Sequence, residues 1–364
     1  MTCRVSQSMI GSLSDRENPR RSASNAFTQA LETFTADKTV SIVCHFDADG
    51  LSSAALLTRA LRAAGWQAEP LVIGKGETPW DEQVRARIAG GEPGGIVLVD
   101  LGTRPEPVLP GVPAVIIDHH VPTGTPQGAV TISGNGLDPE PTSALIAWWA
   151  AGALGDQDDL LWLAAIGLIG DMAEDRSFPE LTKAQARWGK TALRDAVSLI
   201  NAPRRTAQAD ATPALRLLLQ CDGPKAITKG TDPDAVALHE AKREVREAME
   251  NAKRAPPRIA GDVALIELDS PCQIHPLIAQ QWRSRLRDKI VIAANKGYRP
   301  GWVHFATRSA SGRDLIAFLA DHRPPGADGR YGSGHTQATG GALRLSDWNS
   351  FLASLGLTQT QVPA

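Results

Sequence analysis

From Thr39 onward the chain repeats one rhythm: a short apolar run, a cluster of turn residues, then an amphipathic stretch. That alternation predicts a parallel sheet with crossover helices. The run Val40–Cys44 is continuous and rich in β-branched residues, as a strand buried on both faces requires. A polar segment begins at His45, and residues 51–64, rich in Ala and Leu and without proline, predict a helix. Further strands are expected at 71–73, 95–99 and 114–117, and buried helices at 143–151 and 160–169.

Past residue 190 the strand signals fade. Residues 215–219 and 234–254 read as helical, the second with opposite charges three or four positions apart, as on a solvated bridge between domains. Pro256-Pro257 ends it, because proline lacks the amide hydrogen and disfavours helix at the residue before it. A second α/β unit is expected from 263–266, with a helix near 277–287, strands at 289–293 and 301–306, a helix from 315 and a Gly-rich turn at 332–341. The expected organisation is therefore a flexible tail (1–24), an α/β domain (25–190), a helical linker (191–258) and a smaller C-terminal α/β domain (259–364).

Composition narrows the function classes. Of the 364 residues 42% are hydrophobic, which suffices for two cores and excludes disorder as the dominant state. Lys plus Arg number 38 and Asp plus Glu 40, so binding of long nucleic acid through a global field is not expected. The four cysteines (Cys3, Cys44, Cys221 and Cys272) form neither a disulfide framework nor a CxxC pair, which fits a reducing, cytoplasmic setting. No apolar run reaches the roughly 18 residues of a membrane span.

The candidate chemistry sits where strands end. His45-Phe46-Asp47-Ala48-Asp49-Gly50 follows the first strand; in an extended loop His45, Asp47 and Asp49 would point the same way, with Gly50 permitting the turn into the helix. The strand at 95–99 runs into Asp100, the strand at 114–117 into Asp118-His119-His120, and the second buried helix into Asp171. In an open parallel sheet, ligands bind outside the carboxyl ends of the strands, so these acids and imidazoles are expected at one edge. A single Asp after a strand is usually a cap or turn residue. Four such ends in one unit point instead to a dinuclear metal site, and carboxylate and imidazole donors without thiolate suit Mn²⁺, Mg²⁺ or a similar ion.

Taken together, His45-x-Asp47-x-Asp49-Gly50, Asp100, Asp118-His119-His120 and Asp171 resemble the successive motifs of the DHH phosphoesterase superfamily. Arg308-Ser309 and the Gly332-Ser333-Gly334-His335 segment resemble its DHHA1 substrate-binding domain. Leu199 to Arg205, followed by a long helix, is similar to the catalytic core of RecJ-type single-strand exonucleases, although Arg204 stands where that motif usually has glycine. The resemblance implies an N-terminal parallel-sheet DHH domain and a C-terminal DHHA1 domain with the active site in the cleft between them. It further implies one divalent ion on His45, Asp47 and Asp100, and a second on Asp49, Asp100, His119 and Asp171, with Mn²⁺ expected and Mg²⁺ or Co²⁺ as alternatives. His120 would then bind the scissile phosphate, Asp118 would orient an imidazole, and Arg308, His335, Gly334 and Arg205 would grip substrate phosphates.

The implied reaction is hydrolysis of single-stranded DNA or short oligonucleotides from an end by a water activated between two metals. A second reading is hydrolysis of a small phosphoester: a dinucleotide, a cyclic-dinucleotide product or 3′-phosphoadenosine 5′-phosphate. The near-neutral charge favours it. A third is a non-catalytic binding subunit of a replication or repair assembly, against which the complete set of ligand residues argues.

Overall fold

The computed structural model describes residues 18–329 and 331–357. It divides into two compact units, the first comprising Met1–Arg204 with Ala209–Glu240 and the second Arg205–Gln208 with Ala241–Ala364.

In the first unit, strands β1 (Val40–Cys44), β2 (Ala68–Val72), β3 (Gly95–Val99), β4 (Ala114–Asp118) and β5 (Val130–Ser133) form an all-parallel sheet in the order β2-β1-β3-β4-β5. Both faces are covered, which explains the uninterrupted apolar runs. Ile42, Val97, Val99, Val115 and Ile117 face a large core built with helices α1 (Pro19–Glu32), α2 (Ala48–Ala63), α4 (Ser143–Ala151) and α5 (Leu161–Gly170). The alternate residues Val43, Ile96, Leu98 and Ile116 face a smaller core with α3 (Glu82–Gly90).

Helices α6 (Pro179–Trp188), α7 (Lys190–Ile200), α8 (Thr212–Gln220) and α9 (Pro224–Lys229) complete this unit. The segment from 191 onward is therefore not the linker that the fading strand signals predict. Its residues Leu193, Ile200, Leu218 and Ile227 belong to the large core of the first unit. Helix α10 (Pro233–Ala252) contains the division, between Glu240 and Ala241. It is not solvated on all sides: Ala235, Leu238, Ala241 and Val245, at helical spacing, are buried.

Of the expected tail, residues 1–17, including Cys3, lie outside the described residues, whereas Pro19 to Ser24 begin α1. That helix has Asn18 as its cap, accepting from Arg20 N–H at 3.1 Å, and buries Ala23, Phe27, Ala30 and Leu31 along one stripe.

The second unit is a mixed sheet in the order β10-β11-β9-β8-β7-β6. Its strands are β6 (Arg258–Ala260), β7 (Val263–Leu268), β8 (Ile290–Arg299), β9 (Trp302–Ser309), β10 (Ser333–His335) and β11 (Ala338–Arg344). The one parallel pair, β7 with β8, is joined by α11 (His275–Arg285), and α12 (Leu315–Asp321) and α13 (Leu345–Ser354) cover the other face around Phe305, Trp348 and Phe351. The expected Gly-rich turn is a hairpin, with Gly334 in β10 opposite Thr339 in β11. Among the described residues, no helix is long and apolar enough to cross a membrane.

Candidate metal centre

The strand order β2-β1-β3-β4-β5 reverses direction at β1/β3, and the carboxyl end of that pair is the natural ligand crevice. His45 follows β1 and Asp100 follows β3. Their backbones continue the sheet for one more step: His45 N–H donates to Val99 O at 3.3 Å and Asp100 N–H to Ile117 O at 3.1 Å. Asp100 then turns with φ 61°, a left-handed conformation that Asp tolerates better than most residues.

The chain does not stay extended after His45, as expected above, but enters α2 at Ala48. Asp47 caps that helix, accepting from Gly50 N–H at 3.1 Å, and Asp49 lies in its first turn. The two carboxylates therefore serve different neighbours. Gly50 is needed for close approach rather than for a turn: a Cβ there would lie 2.5 Å from His45 O.

His45 Nδ1 lies 3.0 Å from Asp47 Oδ2 and 3.5 Å from Asp100 Oδ2. On the other side His119 Nε2 lies 3.2 Å from Asp171 Oδ2, 3.6 Å from Asp100 Oδ1 and 4.0 Å from Asp49 Oδ2. The two oxygens of Asp100 thus face different imidazoles. His45, Asp47 and Asp100 form one group able to hold a metal ion, and Asp49, His119 and Asp171 another; within each, the ligand atoms lie within 4.8 Å of one another. Asp100, His119 and His120 form a third such group.

Asp49 is fully buried, and its oxygens accept the amide hydrogens of Ser143 at 2.8 Å and Ala144 at 2.9 Å, so it occupies the positive end of α4. Ser143 Oγ donates to Asp100 Oδ1 at 3.1 Å. Asp118 accepts from Gly102 N–H at 2.7 Å, from His120 N–H at 2.7 Å and bonds His120 Nδ1 at 3.0 Å, so the imidazole it holds is that of His120.

Electrostatics test whether cations fit. Burial pushes the Asp49 carboxyl well above the usual range, and the nearby carboxylates Asp100 and Asp171 push it further. Burial and the neighbouring Asp47 and Asp100 likewise raise Asp171. The histidines respond in the complementary sense. Although burial opposes a proton, Asp47 and Asp100 hold His45 up to about 10, and Asp100, Asp171 and Asp49 hold His119 up to about 12. Neither buried ring nitrogen of His119 makes a hydrogen bond of good geometry. A buried group of carboxylates and imidazoles with orphaned donor atoms is what divalent cations would satisfy.

Three residues outside the expected set also shape the centre. Asn201 Oδ1 accepts the buried Ala48 N–H at 3.0 Å, tying the Leu199–Arg205 segment to the start of α2. Arg204 Nη1 lies 3.8 Å from Asp47 Oδ2; although burial pushes that carboxyl up, the closer His45 and then Arg204 hold it well below its ordinary range. Gly167 leaves room for Asp49, because a Cβ there would meet Asp49 Oδ1 and Ala144 Cβ.

The remaining expected residues belong to the second unit. Arg205 ends a short 3-10 turn, and its carbonyl accepts from Gln273 N–H at 2.8 Å. Arg308 lies on β9, where Nη1 donates to Thr307 O at 2.9 Å and Thr339 O at 3.2 Å; burial, then nearby Arg283, lowers its pKa. Gly334 has φ 131° and packs against Ala338 O; His335 follows it in β10.

Solved structures share this architecture. The exonuclease RecJ from Thermus thermophilus in complex with Mn²⁺ superposes with a TM-score of 0.69 at 21% identity, over 94% of this chain and 55% of that one. The chain shares the fold of RecJ. A second exonuclease RecJ structure, bound to manganese, matches with a TM-score of 0.65 at 21% identity over 94% of this chain and 95% of that one. A DHH domain from a member of a family of ribosomal proteins matches with a TM-score of 0.64 at 16% identity, over 94% and 91% of the two chains. The chain spans about half the length of the Thermus RecJ. No protein-family model matches the sequence, and no curated protein does. The N-terminal parallel sheet and the C-terminal mixed sheet thus have the fold seen in these RecJ structures.

Proposed function

We propose that this chain is a metal-dependent phosphoesterase that hydrolyses single-stranded DNA or short oligonucleotides from an end. The observation that carries the reading is Asp100, whose Oδ2 lies 3.5 Å from His45 and whose Oδ1 lies 3.6 Å from His119, so that one carboxylate serves both halves of the cluster. The fold shared with an exonuclease bound to manganese supports it.

In this reading His45, Asp47 and Asp100 hold one divalent ion, and Asp49, Asp100, His119 and Asp171 a second, with Mn²⁺ first and Mg²⁺ or Co²⁺ as alternatives. When bound, such ions polarise a phosphoryl oxygen and acidify water. The protein's own groups supply orientation. Asp49 is fixed by the two amides that open α4, and Ser143 fixes the Asp100 carboxylate. Asp118 holds His120 through Nδ1 and, against the opposing effect of burial, raises its affinity for a proton. The half-exposed His120 then offers Nε2–H to a phosphoryl oxygen of the substrate. Arg308, His335, Gly334 and Arg205 of the second unit are the proposed phosphate grips.

A net charge of -2 favours a second reading, in which the substrate is a dinucleotide or another small phosphoester. The discriminating experiment supplies Mn²⁺ and compares end-labelled single-stranded DNA and RNA of graded length with dinucleotides and 3′-phosphoadenosine 5′-phosphate. Mononucleotides released from long strands support the first reading. Turnover confined to the shortest substrates supports the second, and no metal-dependent turnover on any of them contradicts both.

A further inference from the structure

The two most exposed large apolar side chains among the described residues both directly follow segments of the metal centre. Val121 comes after His119-His120 and Met172 after Asp171, and each is 72% exposed. Large exposed apolar groups next in the chain to a cluster of acids and imidazoles are candidates for ligand contact.

Met172 carries a second penalty. At the end of α5 its N–H donates to Ile169 O at 3.1 Å, and Ala173 N–H donates to Leu168 O at 2.8 Å. That pair of bonds closes a helix through one residue in the left-handed region, a position glycine fills without steric cost. The residue here is Met172, with φ 56°. Folding favours glycine at this position and solvation favours a polar side chain; methionine satisfies neither. Strained backbone conformations cluster at functional sites, and covering the exposed side chain of this residue adjoining Asp171 would remove its apolar surface from water.

We infer that Met172, assisted by Val121, makes the apolar contact to the nucleobase next to the scissile phosphate. The inference rests on the phosphodiesterase reading above. Carboxylates, imidazoles and metal ions recognise the phosphate alone, and a flexible, polarisable thioether is suited to the face or edge of an aromatic base.

The test uses the full chain with Mn²⁺ and two single-stranded oligonucleotides of equal length, one with every base present and one with abasic tetrahydrofuran residues at both ends. Wild type prefers the base-bearing strand. In Met172→Gly that preference falls about tenfold, the size expected for losing much of one buried methionine contact. The loss lies in KM rather than kcat, while the melting temperature rises because the left-handed strain is relieved. Met172→Gln keeps the side-chain length and the backbone strain but loses the apolar contact, so its preference falls without a gain in melting temperature.

An unchanged preference in both variants, with hydrolysis intact, overturns the inference and leaves the phosphodiesterase reading standing. A lower melting temperature in Met172→Gly overturns it too, since it would show the side chain packing for stability. So does a change in self-association without a change in preference, which would assign the patch to a protein contact. If wild type hydrolyses neither strand in the presence of metal, the underlying reading fails and this inference fails with it.

Discussion

Gly167→Ala separates local from tertiary reasoning, because the two predict opposite signs. Gly167 lies inside α5, where alanine is the better helix former by about 1 kcal/mol. Its missing Cβ, however, leaves the space occupied by Asp49 Oδ1 and Ala144 Cβ. Neither can yield cheaply: Asp49 is held by two backbone amides, and Ala144 is part of the α4 backbone that provides one of them. Overpacking a core position costs roughly 1–3 kcal/mol. Displacing a buried carboxylate from one of its amide partners adds about 2 kcal/mol. After the propensity gain the net destabilisation is about 2–4 kcal/mol, a fall in melting temperature of roughly 5–15 °C for a unit of this size. Because the helix spacing also sets where Asp49 meets His119 and Asp171, Mn²⁺ should lose most of its stabilising effect although no ligand has been altered. The assay is thermal unfolding of wild type and variant with and without Mn²⁺. A variant that melts at or above the wild-type temperature and keeps its Mn²⁺ response refutes the steric argument.

Further outcomes follow from the same contacts. Asn201→Ala strands the buried Ala48 N–H at the start of α2 and should cost about 1–3 kcal/mol in denaturant unfolding; a change below about 0.5 kcal/mol contradicts that role. Ser143→Ala removes the donor to Asp100 Oδ1 and should weaken Mn²⁺ binding on the order of tenfold by titration, with an unaltered affinity as the contrary result. In metal-free protein His45 keeps its proton up to about 10, so its contribution to stability is complete below its ordinary 6.5 and is lost as pH rises through about 10. Mn²⁺ binding runs the other way, since the ring must shed that proton to become a ligand. The metal-induced rise in melting temperature should therefore grow with pH over this range, and a pH-independent rise would count against His45 as a ligand.

Parts of this molecule are legible in the sequence and others are not, for identifiable reasons. Strands β1, β3 and β4 stand out because burial on both faces demands unbroken apolar runs, and each run ends on the residues that line the crevice. Strand β5 (Val130–Ser133) escapes a reading by pattern: it is a four-residue edge strand with only Ile132 fully buried, so its signal is weak. Helix α1 is hidden among serines and arginines, although Ala23, Phe27, Ala30 and Leu31 carry its stripe. The boundary expected near 190 lies at 240 because α7 to α9 bury Leu and Ile against the first sheet's helical layer, a tertiary fact that helical periodicity alone does not report. The metal-centre candidates are legible because each lies just after a strand or helix or at the start of α2. Their supports are not: Ser143 is 94 positions from Asp49, Asn201 is 153 from Ala48, and only the fold joins them.

Whether the cluster is a hydrolytic metal site is decided by hydrolysis of a short end-labelled single strand by purified wild type and Asp100→Ala, with Mn²⁺ and with chelator. Asp100 serves both halves of the cluster, so mononucleotide release by wild type should require metal and fall by at least about a thousandfold in the variant. Metal-independent release, or a variant that keeps wild-type turnover, would contradict it.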